Sequence, residues 1–233
     1  MVTIIATPVV AAFDLDGTLS NGGSVFKWLR HVCGARPTWM ASLRLAGPLF
    51  AGALRSGTSA DRAKERLFHL LLNGRSLNDV TSTSTVFAIA HFNEHGRRRP
   101  LERVAWHLRQ GHDVVIVSAS PQIYVDVVAA EFKASGALGT RLAVDPRGQL
   151  TGSYLGNNCR GEEKMRRLNE WIEQRHYPMA PVVYAYGNSR GDRAMLRAAT
   201  HPYNLGRLGR LGTLRRFPRL SSESPESLAT AGE

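Results

Sequence analysis

Apolar positions fall along this chain in two rhythms. Short unbroken runs, Pro8-Val9-Val10-Ala11-Ala12, Val114-Val115-Ile116-Val117 and Val182-Val183-Tyr184-Ala185-Tyr186, are bounded by Gly, Ser, Asp or Pro. Runs of that length and β-branched character predict strands of a parallel sheet covered on both faces. Between the first two runs the apolar residues are spaced differently. Trp39 through Leu54, Leu67-Phe68-Leu70-Leu71-Leu72 and Val86-Phe87-Ile89-Ala90 carry a helical pattern with little β-branched character. A further helical pattern runs through Met165, Leu168 and Ile172, with Lys164 near its start.

Each strand-like run ends in polar residues. The first delivers Phe13-Asp14-Leu15-Asp16-Gly17-Thr18-Leu19, the second Ser118-Ala119-Ser120, and the third Gly187-Asn188-Ser189-Arg190-Gly191-Asp192. In open α/β sheets ligands collect just beyond the carboxyl ends of parallel strands. Two aspartates spaced i, i+2 on extended chain also point the same way. One of them can attack while the other handles protons, which suggests phosphoryl chemistry. Asp-Gly is also a common turn dipeptide, so the first motif alone leaves open an ordinary turn after a strand.

The order along the chain is Asp-x-Asp, then Ser, then Lys, then Gly-Asn-x-x-x-Asp. In that order this sequence resembles the haloacid dehalogenase superfamily of phosphohydrolases, over roughly residues 8 to 200. The resemblance implies an α/β fold, a Rossmann-like doubly wound parallel sheet, and hydrolysis of a phosphomonoester through an aspartyl-phosphate. It gives Asp14 the role of nucleophile, splitting a difficult hydrolysis into two steps, and Asp16 that of general acid and base. Thr18 and Ser118 would hydrogen-bond phosphate oxygens. Lys164 would neutralise charge on the phosphoryl group and on Asp14. The implied cofactor is Mg2+, held by the Asp14 carboxylate, the Asp16 main-chain carbonyl and the fourth motif.

That fourth motif departs from the family pattern, which has Gly-Asp where this chain has Gly187-Asn188. An amide oxygen still coordinates magnesium but brings no charge. Weaker metal affinity is expected unless Asp192 compensates, directly or through a water. The extreme case is a pseudoenzyme that binds phosphate compounds without turning them over.

About a hundred residues separate Asp14 from Ser118, more than one crossover connection needs. An inserted helical cap accounts for the excess. The expected division is a core of residues 1–20 and 97–204, a cap of 21–96 and a basic, flexible tail of 205–233. This arrangement resembles the subfamily with a helical cap after motif one (subfamily IB, the C1-type cap), which contains phosphoserine phosphatases and several phospholipid-related phosphatases. Phosphoserine phosphatases carry a substrate-binding glutamate nine residues after the nucleophile; here that position is Gly23. The apolar stretch between Arg44 and Arg55 is too short to cross a bilayer, which takes ~20 residues. It suits either a helix packed within the cap or an interfacial segment and acyl pocket. A small phosphorylated substrate is expected, with a lipid-like one as an option.

Charge adds pull without selecting a partner. Net charge is +11, and it stays near +9 without the residues from Leu205 onward, which hold five Arg and three Glu. A positive field attracts anionic substrates, anionic membranes and nucleic acids alike. Nucleic acid is disfavoured: there is no aromatic interleaving, zinc-ligand spacing or helix-turn-helix signal. Arg97-Arg98-Arg99, with Arg103 and Arg109, lies where the cap rejoins the core; arginines there can meet a phosphate or a carboxylate, while the usual reading of such a run is a solvated face. Leu208, Leu211 and Phe217 offer the tail a way to pack back, against a peripheral contact with an anionic membrane. Cys33 and Cys159 are too few for a disulfide framework and suggest a reducing cytoplasm. The first residues lack the positive start of a secretory signal.

Overall fold

The computed structural model describes residues 6–45, 58–207 and 212–220. A five-stranded sheet forms its centre, in the order β3-β2-β1-β6-β7, where β1 is Val9–Phe13, β2 Asp113–Pro121, β3 Gly136–Thr140, β6 Val182–Gly187 and β7 His201–Asn204. All four pairings are parallel. The three apolar runs are the three central strands, and Phe13 stands level with Ile116 on one side and Tyr186 on the other. Val10, Ala11, Ala12, Val114, Val115, Ile116 and Val117 are sealed from solvent, because crossover helices cover both faces and leave no side of the sheet wet.

Topology fixes where the chemistry collects. From β1 the chain winds outward to β2 and β3 on one side, then returns to place β6 and β7 on the other. The crevice outside the carboxyl ends of β1, β2 and β6 lies at that reversal. All three polar strand ends open onto it.

Among the described residues, four helices lie between β1 and β2, α1 (Val25–Cys33), α2 (Ala35–Arg44), α3 (Thr58–Leu72) and α4 (Leu77–His95), before α5 (Arg98–Arg109) leads into β2. The chain leaves and re-enters the core side by side: Asn21 N donates to His95 O at 2.8 Å and Arg97 N to Leu19 O at 2.8 Å. The helix expected over Trp39 to Leu54 is seen as α2, and residues 46–57 lie outside the described residues. Among the described residues no helix is long and apolar enough to cross a membrane.

After β2 come α6 (Gln122–Glu131), the hairpin β4 (Leu142–Val144) and β5 (Leu150–Tyr154), then α7 (Glu162–Glu173), and α8 (Arg193–Ala198) follows β6. The hairpin was not anticipated. Its turn is closed by Gly148 N donating to Asp145 O at 3.0 Å and by the Asp145 carboxylate accepting from Arg147 N and Gln149 N at 2.9 Å each. Of the basic tail, residues 212–220 pack on the core. Leu214 is buried, its carbonyl accepts from Asn204 Nδ2 at 2.9 Å, and Phe217 packs on the same cluster. Leu208 and Leu211, and the chain from Ser221 on, lie outside the described residues.

Candidate active site

The end of β1 buries Asp14, 6 % exposed, under two side-chain donors. Thr18 Oγ1 donates to its Oδ2 at 2.8 Å, and Lys164 Nζ donates to its Oδ1 at 2.5 Å. The same ammonium donates to Asp192 Oδ1 at 2.6 Å. Lys164 opens α7, which packs against β2 and β3, so its stem is buried and its head reaches the strand ends. One buried ammonium thus serves two carboxylates. Burial first and Asp192 second push the Asp14 carboxyl up to about 7, against the pull of Lys164 and Thr18. Burial disfavours the Lys164 cation, but Asp14 and Asp192 outweigh it and hold the ammonium above the usual lysine range. The three groups carry one net negative charge when all are ionised, an electrostatic invitation to a cation.

Asp192 is held through both of its oxygens. Its Oδ2 accepts from Asn188 N at 3.1 Å, Ser189 N at 2.9 Å and Ser189 Oγ at 2.9 Å, while Lys164 takes Oδ1. In this geometry Asp192 orients Lys164 and the fourth-motif loop, and Oδ1, with one donor, keeps a lone pair for the metal role expected of it, directly or through a water.

Asp16 is gripped from two elements: Ser24 N donates to Oδ1 at 2.7 Å and Ser120 Oγ donates to Oδ2 at 2.7 Å. Ser118 Oγ, buried on β2, accepts from Ser120 N at 3.1 Å, which leaves its hydroxyl hydrogen for another partner. Ser24 and Ser120 were missed in the sequence. Their signal was only that each flanks a motif.

Asn188 Oδ1 is buried with no hydrogen-bond partner. Gly17 makes room for that side chain: at φ +80°, a Cβ there would stand 1.9 Å from Asn188 Nδ2. An orphaned buried acceptor costs about 1–3 kcal/mol, and a hard cation taking oxygen ligands is a fitting relief for it. Among the described residues no three His, Cys, Asp or Glu side chains gather as a metal centre. The oxygens that could hold magnesium here are those expected from the sequence, Asp14, the Asp16 carbonyl and the Asn188 amide, with Asp192 bound to the same ammonium as Asp14.

Four more buried polar atoms lack partners: Ser20 Oγ, Ser24 Oγ, His91 Nε2 and Tyr124 OH. Three of them sense or adjoin Asp16. Burial first, then the Asp16 charge, raises the Tyr124 phenol well above its ordinary range, with the nearby Ser24 hydroxyl opposing although the two do not meet hydrogen-bond geometry. Burial first, then His95 and Lys27, lowers His91 against the pull of Asp16. His91 stacks on Phe87, whose ring leans on Tyr124.

The cap closes over this end. Lys64 of α3 donates to Ala119 O and to Asn158 Oδ1 at 2.8 Å each, and burial lowers its ammonium to about 8. Arg97 corrects the reading of a solvated arginine face: its Nη1 donates to Gly17 O, to Thr18 O at 3.3 Å and to Leu205 O at 3.0 Å, pinning the motif-one loop. Arg103 is buried with its guanidinium over Trp106.

A family model described as haloacid dehalogenase-like hydrolase matches residues 11–197. The chain belongs to that family. It is an enzyme, a hydrolase whose relatives include proteins named as phosphatases. Protein CicA of Caulobacter vibrioides is 32% identical over 195 residues, which cover 82% of this chain and 83% of that protein. A histidinol-phosphatase of Neisseria meningitidis serogroup C is 26% identical, covering 83% of this chain and 88% of that one. Among solved structures, a phospho-aspartyl intermediate analogue of phosphoserine phosphatase superposes with TM-score 0.57 at 16% identity, over 85% of this chain and 87% of that chain. At that identity the likeness speaks for the fold, which is the family's parallel α/β core. Magnesium is in general use among the family's phosphatases.

Proposed function

We propose that this haloacid dehalogenase-like hydrolase is a magnesium-dependent phosphomonoesterase that works through a phosphoryl group carried on Asp14. The observation that carries this reading is Lys164 Nζ, which bridges Asp14 and Asp192 from 150 and 28 residues away in sequence. A buried ammonium tying a strand-end carboxylate to a second carboxylate has little purpose as a stabilising device, since buried ion pairs seldom improve on apolar packing. It does serve a phosphoryl transfer, in which catalysis is mostly positioning and charge neutralisation.

In this mechanism an Asp14 oxygen attacks phosphorus while the bond from phosphorus to the leaving alcohol breaks. Asp16 gives its proton to the departing oxygen, and its two hydrogen bonds hold it in the line of that transfer. Asp16 then takes a proton from water as the water attacks the aspartyl-phosphate, which returns Asp14 and releases phosphate. Lys164, Thr18 and Ser118 hold the phosphoryl oxygens, and Asp192 orients Lys164. Asp14, the Asp16 carbonyl and Asn188 would hold Mg2+, which when bound supplies charge neutralisation at the phosphoryl group.

The leaving group faces Tyr124, His91, Ser20 and Ser24, four unpartnered buried groups that suit a small alcohol with polar substituents of its own. Gly23 is exposed, and a side chain added there would meet nothing within 4 Å. The site therefore has no counterpart of the glutamate that binds an amine in phosphoserine phosphatases. The relative named for histidinol phosphate points to the same class of small soluble ester. A lipid-phosphate substrate is the second reading, favoured by Trp39, Met40 and Leu43, exposed on α2 beside Arg36 and Arg44.

The test is phosphate release from p-nitrophenyl phosphate across a magnesium titration, with acid-quench mass spectrometry for a protein 80 Da heavier, an increment fixed by the chemistry of phosphorylation. Magnesium-dependent turnover and a phosphorylated chain that both vanish in Asp14→Asn are expected. Turnover that persists in that variant would overturn the mechanism, and a rate that rises only on vesicles would move the substrate to the lipid class.

A further inference from the structure

We propose that a second anion site, separate from the Asp14 pocket, binds a small ligand carrying two or more phosphates in a cleft between α8 and the segment of residues 212–217. The cleft has a volume of about 470 Å³ and is lined by Arg190, Arg193, Arg197, Arg215, Arg216 and Phe217, with Gly212 and Thr213 completing it. Among the described residues no carboxylate lines it. Arg193 and Arg197 stand four residues apart on one face of α8, and Arg215 and Arg216 form the facing wall.

Several arginines elsewhere among the described residues pair with acids. Arg166 and Arg167 pair with Glu163, Arg147 with Asp145 and Arg160 with Asp61. Among the described residues Arg193, Arg197, Arg215 and Arg216 make no such pair. Gathering guanidiniums without an acid between them is unfavourable unless an anion fills the space.

The wall that carries Arg215 and Arg216 is preformed. Leu214 is 1% exposed, Asn204 N donates to Pro218 O at 2.7 Å, and turns close through Arg215 N to Gly212 O at 3.2 Å and Phe217 N to Leu214 O at 3.0 Å. A pocket of this size holds a small molecule, not a flat bilayer or a duplex. A single phosphate, at about −2 charge, balances two of the four guanidiniums of Arg193, Arg197, Arg215 and Arg216, so the geometry points to a di- or triphosphate group bridging the two walls. Arg190 sits in the loop between Asn188 and Asp192, so an occupant would touch the loop that holds the partner of Lys164.

The experiment is calorimetric titration of the full chain with sodium tripolyphosphate, free of divalent metal. Wild type should bind one equivalent, Asp14→Asn should bind as wild type does, and Arg197→Ser/Arg215→Ser should bind at least tenfold more weakly. Both substituted arginines are exposed, and an unchanged melting temperature would show the fold intact. Either single substitution, weakening binding by a smaller factor, keeps the test decisive if the pair disturbs folding. A nucleoside triphosphate that binds more tightly than tripolyphosphate would identify a nucleotide as the source of the phosphates, and equal affinities would identify free polyphosphate; both support the site. Unchanged binding in the double variant, loss of binding in Asp14→Asn, or orthophosphate binding as tightly as tripolyphosphate would overturn it. So would tighter binding to phosphatidylglycerol vesicles or a short single-stranded oligonucleotide than to tripolyphosphate.

Discussion

The two ends of the active-site crevice differ in how their polar groups are settled. At the phosphate end, Asp14, Lys164 and Asp192 are buried and joined by hydrogen bonds of 2.5 and 2.6 Å. At the cap end, Ser20, Ser24, His91 and Tyr124 are buried with atoms that bond to nothing in the protein. A network that is complete by itself fixes a geometry the reaction can reuse for any ester. Unpaired groups define what is missing, and a substrate that supplies it gains their desolvation cost back as specificity. On the mechanism proposed, the general machinery lies with the core and selectivity with residues drawn partly from the cap.

The sharpest way to break this division is to cut the complete network. Lys164→Met leaves Asp14 and Asp192 facing each other in a buried site, so we expect a stability loss of about 3–5 kcal/mol. Turnover should fall by roughly 10²–10³ through the lost charge stabilisation. Chemical denaturation and kcat/KM on p-nitrophenyl phosphate report the two effects. A variant that is as stable as wild type yet inactive would mean the ammonium serves chemistry alone, and the phosphate end would not be a structural unit.

Much of that phosphate end was legible in the chain because its residues sit at ends of strands whose apolar runs are unmistakable. Asp14, Ser118 and Asn188 follow from β1, β2 and β6 in this way. Lys164 was visible only by its place in an order, since a lysine opening a helix is ordinarily solvated; its burial comes from α7 lying against β2 and β3. The cap end was not legible. Ser24, His91 and Tyr124 come from a loop, α4 and α6, and nothing local marks them as neighbours. Arg97 was misread because a guanidinium that bonds three carbonyls looks, in sequence, like any member of a basic run. The hairpin turn at Asp145-Pro146-Arg147-Gly148 carried a plain signal that the length of the gap between motifs overshadowed.

Two histidines carry the comparison into pH dependence. His107 is settled, with Nε2 at 2.9 Å from Tyr186 OH and Nδ1 at 2.8 Å from His112 Nδ1. Burial first, then His112 and Arg103, push it from 6.5 down to about 3. The folded protein keeps His107 neutral while the unfolded chain takes up a proton below pH 6.5, so stability is full above that value and declines as pH falls towards 3. At pH 5 the loss from this residue is about 2 kcal/mol. Melting temperatures across pH 5 to 7.5 should show the decline, and His107→Phe should flatten it. A slope left intact in that variant would place the acid sensitivity elsewhere.

At the cap end the prediction has the opposite sign for stability. Tyr124→Phe removes an orphaned hydroxyl without changing the ring that leans on Phe87, so the folded protein should gain about 1 kcal/mol. The same change should lower kcat/KM for the natural ester by roughly tenfold while leaving p-nitrophenyl phosphate, which has no polar groups near its ester oxygen, almost untouched. Equal losses on both esters would show Tyr124 acting on the chemistry of the phosphoryl group, and the division between the two ends would fail.

Asn188 stands where the two ends meet: it is the one member of the phosphate end whose acceptor is still unpaired. Asn188→Asp replaces a neutral oxygen with a charged one in nearly the same volume. With magnesium bound, the added charge should tighten apparent affinity several-fold. Without metal, the new carboxylate joins Asp14 and Asp192 around a single ammonium, so the metal-free protein should melt lower than wild type. The pair of readouts matters because a purely structural asparagine would move only the second. Tighter magnesium binding together with a less stable metal-free protein is the pattern expected of a ligand position, and magnesium affinity that does not change would remove Asn188 from the metal site.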